Sequence, residues 1–254
     1  MPLGFANAVR RGRIGLIAAS GTGLQQVVCL IDRLGAGISQ AIGVGGRDLD
    51  ERIGGLMMLA ALDRLAEDAD TSVIVLISKP PSPVVSRRVL EHARTAAKPI
   101  VVCFLGGDPA VIAAAGAAPA ATLEEPAFLA VTRAGHAPGE GIATEDEGDL
   151  VKAVLAQAAR LARSQRAIPG LYSGGTLAYA AALLLQEALP DAECRRAHSL
   201  LDLGDNECTV GRPHPMIDFR VGNERIAAAA ADPATAVVLL DVVLGYGSHP
   251  ILGR

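Results

Sequence analysis

In Arg13-Ile-Gly-Leu-Ile-Ala-Ala-Ser-Gly-Thr-Gly-Leu-Gln-Gln-Val-Val-Cys-Leu-Ile-Asp-Arg-Leu-Gly35, a short apolar run meets Ser-Gly-Thr-Gly and passes into helical spacing. Leu24, Val27, Val28, Ile31 and Leu34 share one face of a helix, and Gly35 stops it. Downstream, Ile38 to Val44 reads as a strand and Leu49 to Glu67 as an amphipathic helix. Ser72-Val-Ile-Val-Leu-Ile-Ser78 is apolar without polar alternation, the pattern of a strand covered on both faces in a parallel sheet. Val84 to Ala97 is a further helix and Pro99 to Leu105 a further buried strand. Such alternation predicts an α/β fold with a parallel sheet and helices on both faces.

From Ala113 to Gly148 the pattern fades into small residues, Pro and acidic pairs, and Asp149 to Arg163 then reads as a helix. The strand–turn–helix pattern restarts at Ile168 to Tyr172, followed by Ser-Gly-Gly-Thr at 173–176 and a helix over Leu177 to Ala188. Gly15-Leu-Ile-Ala-Ala-Ser-Gly-Thr-Gly-Leu aligns with Ile168-Pro-Gly-Leu-Tyr-Ser-Gly-Gly-Thr-Leu. Asp68-Ala-Asp-Thr-Ser-Val-Ile-Val-Leu-Ile aligns in the same way with Ala231-Asp-Pro-Ala-Thr-Ala-Val-Val-Leu-Leu. The sequence therefore predicts two related parallel-sheet units in tandem, 1–163 and 164–254. The second is the shorter, with strand candidates at 168–172, 199–203 and 236–243. Its apolar last strand calls for a cover from the first unit, another copy or a partner subunit.

Composition narrows the function classes. The chain has 254 residues, a net charge of -4, no Trp and only 3% aromatic residues. A mild acidic balance argues against a nucleic-acid surface. No apolar run reaches the ~18–20 residues of a membrane span, and the first residues lack the order of a secretory signal. Cys29, Cys103, Cys194 and Cys208 are widely spaced without a CxxC pair, so neither a zinc site nor a disulfide framework is expected. A cytoplasmic protein without a metal is the expectation.

Two strand–helix junctions are the candidates for chemistry. A helix N-terminus offers unpaired N–H groups and a partial positive charge, glycines let an anion approach, and hydroxyls add donors. Ser20, Gly21, Thr22 and Gly23 form the first junction, and Ser173, Gly174, Gly175 and Thr176 the second. Each fits a phosphate site and equally an ordinary Ser N-cap. Gly45 and Gly46 precede Arg47 and Asp48 at the end of the second strand. There Arg47 fits a phosphate or carboxylate clamp and equally an exposed ion-paired turn.

Gly211-Arg-Pro-His-Pro-Met-Ile-Asp218 is a stiff loop that gathers Arg212, His214 and Asp218, and its two prolines fix the direction of the histidine. Tyr246 and His249 follow the last strand, near Asp241. His92, His136 and His198 read as a solvated helix residue, a loop residue and a strand lead-in. No P-loop, dinucleotide fingerprint or GxSxG is present.

Taken together, the segments at 12–23, 41–49, 170–177, 209–218 and 239–247 resemble the FdrA family, within the superfamily of succinyl-CoA synthetase and ADP-forming acyl-CoA synthetases. The resemblance spans nearly the whole chain. It implies two flavodoxin-like, ligase-type domains whose helix N-termini cradle a phosphoryl group, the role that falls to 20–23 and 173–176. It also implies a subunit of oxamate carbamoyltransferase, which converts oxalurate and phosphate to oxamate and carbamoyl phosphate. Inorganic phosphate would be the co-substrate, Arg47 or Arg212 would hold the substrate carboxylate, and His214 would act as acid or base. Other subunits, or further copies of the chain, are the expected partners.

Two departures from the superfamily stand out. The first ligase-type strand begins near residue 13, leaving no room for the separate CoA-binding domain of the synthetases, so neither CoA nor ATP is expected with this chain alone. The stretch 105–119, where the synthetases carry a phosphorylated histidine, contains none. Two alternatives stand beside the carbamoyltransferase: a subunit of an acyl-CoA synthetase that lacks its CoA-binding domain, and a non-catalytic scaffold of the same fold.

Overall fold

The computed structural model describes residues 7–137, 147–189 and 199–243, which fall in two units, 7–137 and 147–243. The first unit runs β1 (Arg11–Ala18), α1 (Gly21–Arg33), β2 (Ile38–Gly43), α2 (Leu56–Glu67), β3 (Val73–Ser78), α3 (Pro83–Ala93), β4 (Ile100–Phe104), α4 (Pro109–Ala114), β5 (Ala118–Pro119) and α5 (Glu125–Arg133). All strand pairs are parallel and the order is β2-β1-β3-β4-β5. That is the flavodoxin-like arrangement of a doubly wound sheet. Every side chain of β3 and β4 is buried, as the uninterrupted apolar runs predict.

Two features of this sheet come from its smallest residues. Gly15 is pressed by Leu65 and Thr71, where an added Cβ would lie 2.9 Å from each. At the entrance to the sheet, a Cβ on Gly12 would lie 2.4 Å from the backbone of Gly37, and one on Gly37 would lie 2.5 Å from the backbone of Arg11. The β1–β2 register is irregular at this place, between Arg11 and Gly15, because the two backbones touch there.

The second unit contains α6 (Glu147–Ala158), β6 (Gly170–Tyr172), α7 (Gly175–Ala188), β7 (Leu200–Asp202), α8 (Asn206–Thr209), α9 (Arg220–Ala231) and β8 (Leu239–Leu240). Its parallel sheet has the order β7-β6-β8, which repeats the β2-β1-β3 portion of the first sheet. The helix at 147–158 groups with this second unit, so the division of the chain falls ahead of the boundary read at 163/164. β8 forms an edge of the sheet; its own Leu240 is 47% exposed, and Val237 and Val242 on either side of it are 46% and 54% exposed.

The stretch where the sequence pattern fades holds α4, β5 and α5. Alanine and proline give these elements too little contrast between faces for a periodicity to emerge. Among the described residues no helix is long and apolar enough to cross a membrane, and no cluster of three His, Cys, Asp or Glu side chains could hold a metal.

Candidate functional site

In the first sheet β1 is flanked by β2 on one side and β3 on the other, so the crevice at the C-terminal ends of β1 and β3 is where such sheets bind ligands. Ser20 lies there, buried, as the N-cap of α1, and its Oγ accepts the Gly23 amide at 2.9 Å. The amides of Gly21 and Thr22 donate to no acceptor among the described residues, and α1 has no acidic residue in its first turn. A Cβ on Gly21 would enter open space, whereas one on Gly23 would lie 2.8 Å from Ser20 Oγ and 3.3 Å from Ile77. Packing thus demands the glycine at 23, while the glycine at 21 leaves an unobstructed approach to the helix end.

The loop after β2 lies beside this turn. The Val44 amide donates to the Ala18 carbonyl at 2.9 Å, and a Cβ on Gly46 would come within 3.6 Å of the Ala19 carbonyl. Gly45 turns the chain with a φ of 82°. Arg47 is exposed with no ion pair among the described residues. Its neighbour Asp48 is buried, and its two carboxylate oxygens accept the amides of Met57 and Met58, each at 2.9 Å. The geometry gives Asp48 to the N-terminus of α2, and leaves Arg47 to face solvent beside the Ser20 turn.

The second junction is built differently. Asp241, just past β8, reaches the turn after β6, where Ser173 donates its amide to Oδ1 at 2.6 Å and Gly174 donates to Oδ2 at 2.8 Å. Asp241 is only 8% exposed, and Ser173 and Thr176 are also buried. The cap residue of α7, Gly174, has no side chain with which to close the helix. The amides assigned by sequence to a phosphate therefore carry a carboxylate of the chain itself.

His214 belongs to the same corner. A Cβ on Gly204 would lie 2.6 Å from the Ser173 carbonyl, 2.7 Å from His214 Nε2 and 3.2 Å from Asp202 Oδ1, which gathers the ends of β6 and β7 and the 211–218 loop around one glycine. Nδ1 of His214 accepts the Met216 amide at 3.3 Å, so the neutral ring carries its proton on Nε2, the nitrogen turned toward this corner. Burial lowers the His214 pKa below its ordinary value, against the opposing pull of Asp202 and Asp241.

Its loop companions stand apart. Arg212 is exposed, and Asp218 forms an ion pair with Arg220, Nε lying 3.0 Å from each carboxylate oxygen. Tyr246 and His249 lie outside the described residues. Sequence reading missed Asp202 and Gly204, and it noted Asp241 only as a neighbour of the last strand. The available signal was the alignment of the two repeats, which sets Asp241 opposite Ser78.

Comparison with known proteins falls on this framework in two segments. Residues 9–106 match the family model described as CoA binding domain, and residues 171–252 match that described as CoA-ligase. The uncharacterized protein YahF of Escherichia coli (strain K12) is 44% identical over 261 residues, 96% of this chain and 50% of the relative. The chain thus spans about half the length of the curated relative it matches.

Among solved structures, the dinucleotide forming acetyl-coenzyme A synthetase 1 of Ca. Korarchaeum cryptofilum, in complex with phosphate and ADP, is 19% identical. The match covers 71% of this chain and 37% of that one, with a TM-score of 0.30. Its apo form is 22% identical with the same coverage and TM-score. At that TM-score the fold stands on the sheets themselves.

The chain therefore carries segments similar to a CoA-binding and a CoA-ligase domain, in the manner of succinyl-CoA synthetase-like proteins. The first match falls on the segment read as the first ligase-type unit, and it makes CoA relevant to a chain with which neither CoA nor ATP was expected on its own.

Proposed function

We propose that this chain acts within a CoA-dependent acyl ligase of the succinyl-CoA synthetase type, with a phosphate-bearing group docking at the N-terminus of α1. The observation that carries the reading is the joining, on one chain, of a CoA binding match at 9–106 and a CoA-ligase match at 171–252. The residues fit the group. Asp48, Asp108 and Asp241 put carboxylates on the N-termini of α2, α4 and α7, whereas α1 has only the neutral Ser20 cap and an open approach over Gly21. An unneutralised helix end of this kind favours a phosphate. CoA, when bound, supplies the thiol that takes the acyl group. The chain's own part is to hold phosphate oxygens on the Gly21 and Thr22 amides and a neighbouring anionic group on Arg47. Partner subunits belong to the same proposal, with the β8 edge as the surface to be covered.

Calorimetric titration of CoA, and separately of inorganic phosphate, into the full chain and its Gly21→Val variant tests this. Binding of both that weakens at least tenfold in the variant supports the ligase reading, because the added side chain enters only the open approach. Affinity unchanged by the variant removes α1 from the site. Phosphate binding without CoA binding favours the narrower alternative, the phosphorolysis of oxalurate implied by the FdrA resemblance. Binding of neither ligand leaves the scaffold reading.

A further inference from the structure

We infer that Asp241 sets the anion specificity of the second repeat: its carboxylate is the resident anion of the turn between β6 and α7, and it excludes there the phosphate that the first repeat admits.

The two repeats pair their strands alike. Ala18 lies opposite Ile77 in the first sheet, and Leu171 lies opposite Leu240 in the second. One residue further on stand Ser78 and Asp241. Ser78 is neutral and buried, and its hydroxyl donates to the Lys79 carbonyl at 2.5 Å, so it gives the Ser20 turn no charge. Asp241 instead spans two consecutive amides at 2.6 and 2.8 Å from a site that is 8% exposed. Charge-assisted bonds of that length, shielded from water, are strong. A phosphate oxygen seeking the same amides meets the Asp241 carboxylate within hydrogen-bond distance of both.

His214 does not offset this charge near neutral pH, because burial holds it toward its neutral form. Of the two junctions that the repeat pattern offers to phosphate, the inference leaves the first alone to accept it. This inference uses the proposed function only for the comparison with the first junction, and its test reads the two junctions separately.

The experiment follows the backbone amide signals of Gly21, Thr22, Ser173 and Gly174 by heteronuclear NMR as inorganic phosphate is added to the full chain. In the wild type the Ser173 and Gly174 signals stay fixed. In Asp241→Ser, which installs the residue of the first repeat, they shift with phosphate, with affinity at this turn at least tenfold above wild type. Asp241→Asn preserves the shape and one acceptor, and shows the same gain in reduced form if the serine variant loses its fold.

Titration of the Ser173 and Gly174 signals in the wild type as readily as in the variants overturns the inference, as does the absence of any gain in a folded variant. Immobile Gly21 and Thr22 signals beside a gain at Ser173 and Gly174 would sink the proposed α1 site while leaving the role of Asp241 standing.

Discussion

The Asp48 carboxylate and the Met58 amide, ten residues apart in sequence, are joined by a 2.9 Å hydrogen bond, with the Met57 amide on the other oxygen. Gly55, the residue before the helix, has no side chain to do this and adopts a left-handed φ of 76°. Asp48→Ala leaves two first-turn donors unpaired next to the buried Leu49 and Met58, at a cost of about 1–2 kcal/mol. Asp48→Asn, which keeps one acceptor, loses less. Arg47→Ala, one residue earlier, leaves the unfolding midpoint unchanged. Urea titrations of the three variants separate a cap at 48 from a ligand-facing side chain at 47.

The glycines of the first junction have opposite sensitivities. Gly21→Ala adds a methyl to open space at the start of a helix and stabilises the chain, or leaves it unchanged, within about 1 kcal/mol. Gly23→Ala drives Cβ against Ser20 Oγ and Ile77, breaks the cap and lowers stability by roughly 1–3 kcal/mol. Thermal midpoints of the two single variants test the contrast, and equal midpoints would contradict it.

Stability is expected to fall on mild acidification through His214. Its folded-state pKa is lowered from 6.5, so the unfolded chain takes up the proton first. The contribution is therefore present above pH 6.5 and is lost as pH falls from there through the folded value. His214→Gln abolishes this part of the profile. Asp32 has the same sign at lower pH: the Arg10 amide and then its guanidinium hold the carboxyl below 3.8, and that contribution fades as pH falls past this value. The difference between wild type and His214→Gln in unfolding free energy at pH 7.5, 6.5 and 5.5 isolates this histidine from the others and from Asp32.

Cys103 is expected to be inert in the folded chain. Burial pushes its thiol up to about 12, with Glu125 and Glu124 adding to the effect, and Sγ donates to the Thr122 carbonyl at 3.2 Å. At pH 8 its thiolate fraction is then on the order of one in ten thousand. Iodoacetamide labelling read by peptide mass spectrometry should leave Cys103 unmodified until denaturant is added. Labelling of Cys103 at the rate of Cys208 in the native chain would contradict the burial.

Much of the fold was legible because parallel sheets write themselves locally. The run at 72–78 contains β3, the run at 99–105 contains β4, and the Ser-Gly turns announce the helices that follow. The restart at 168 gave the repeat, and the order β7-β6-β8 repeats β2-β1-β3. What stayed hidden depends on pairing across distance. Asp241 meets Ser173 across 68 residues, and no spacing rule reveals that a carboxylate at one strand end will turn toward the amides of another. Asp48 misled for the opposite reason. Beside Gly-Gly-Arg it looks like part of a binding turn, whereas its partners lie in a helix whose own cap residue, Gly55, lacks a side chain.

Gly12 and Gly37 stand in a relation that ordinary core positions do not share. In a packed core, an enlarged side chain can be answered by a smaller one across the gap. Here the obstacle to a Cβ at 12 is the main chain of Gly37, and the obstacle to one at 37 is the main chain around Arg11 and Gly12. Neither residue has any atoms left to give up, so no substitution at one can compensate for growth at the other. In a selection for folded variants this pair would show two independent requirements with no second-site suppressor between them, a steric dead end at the very place where the first two strands meet.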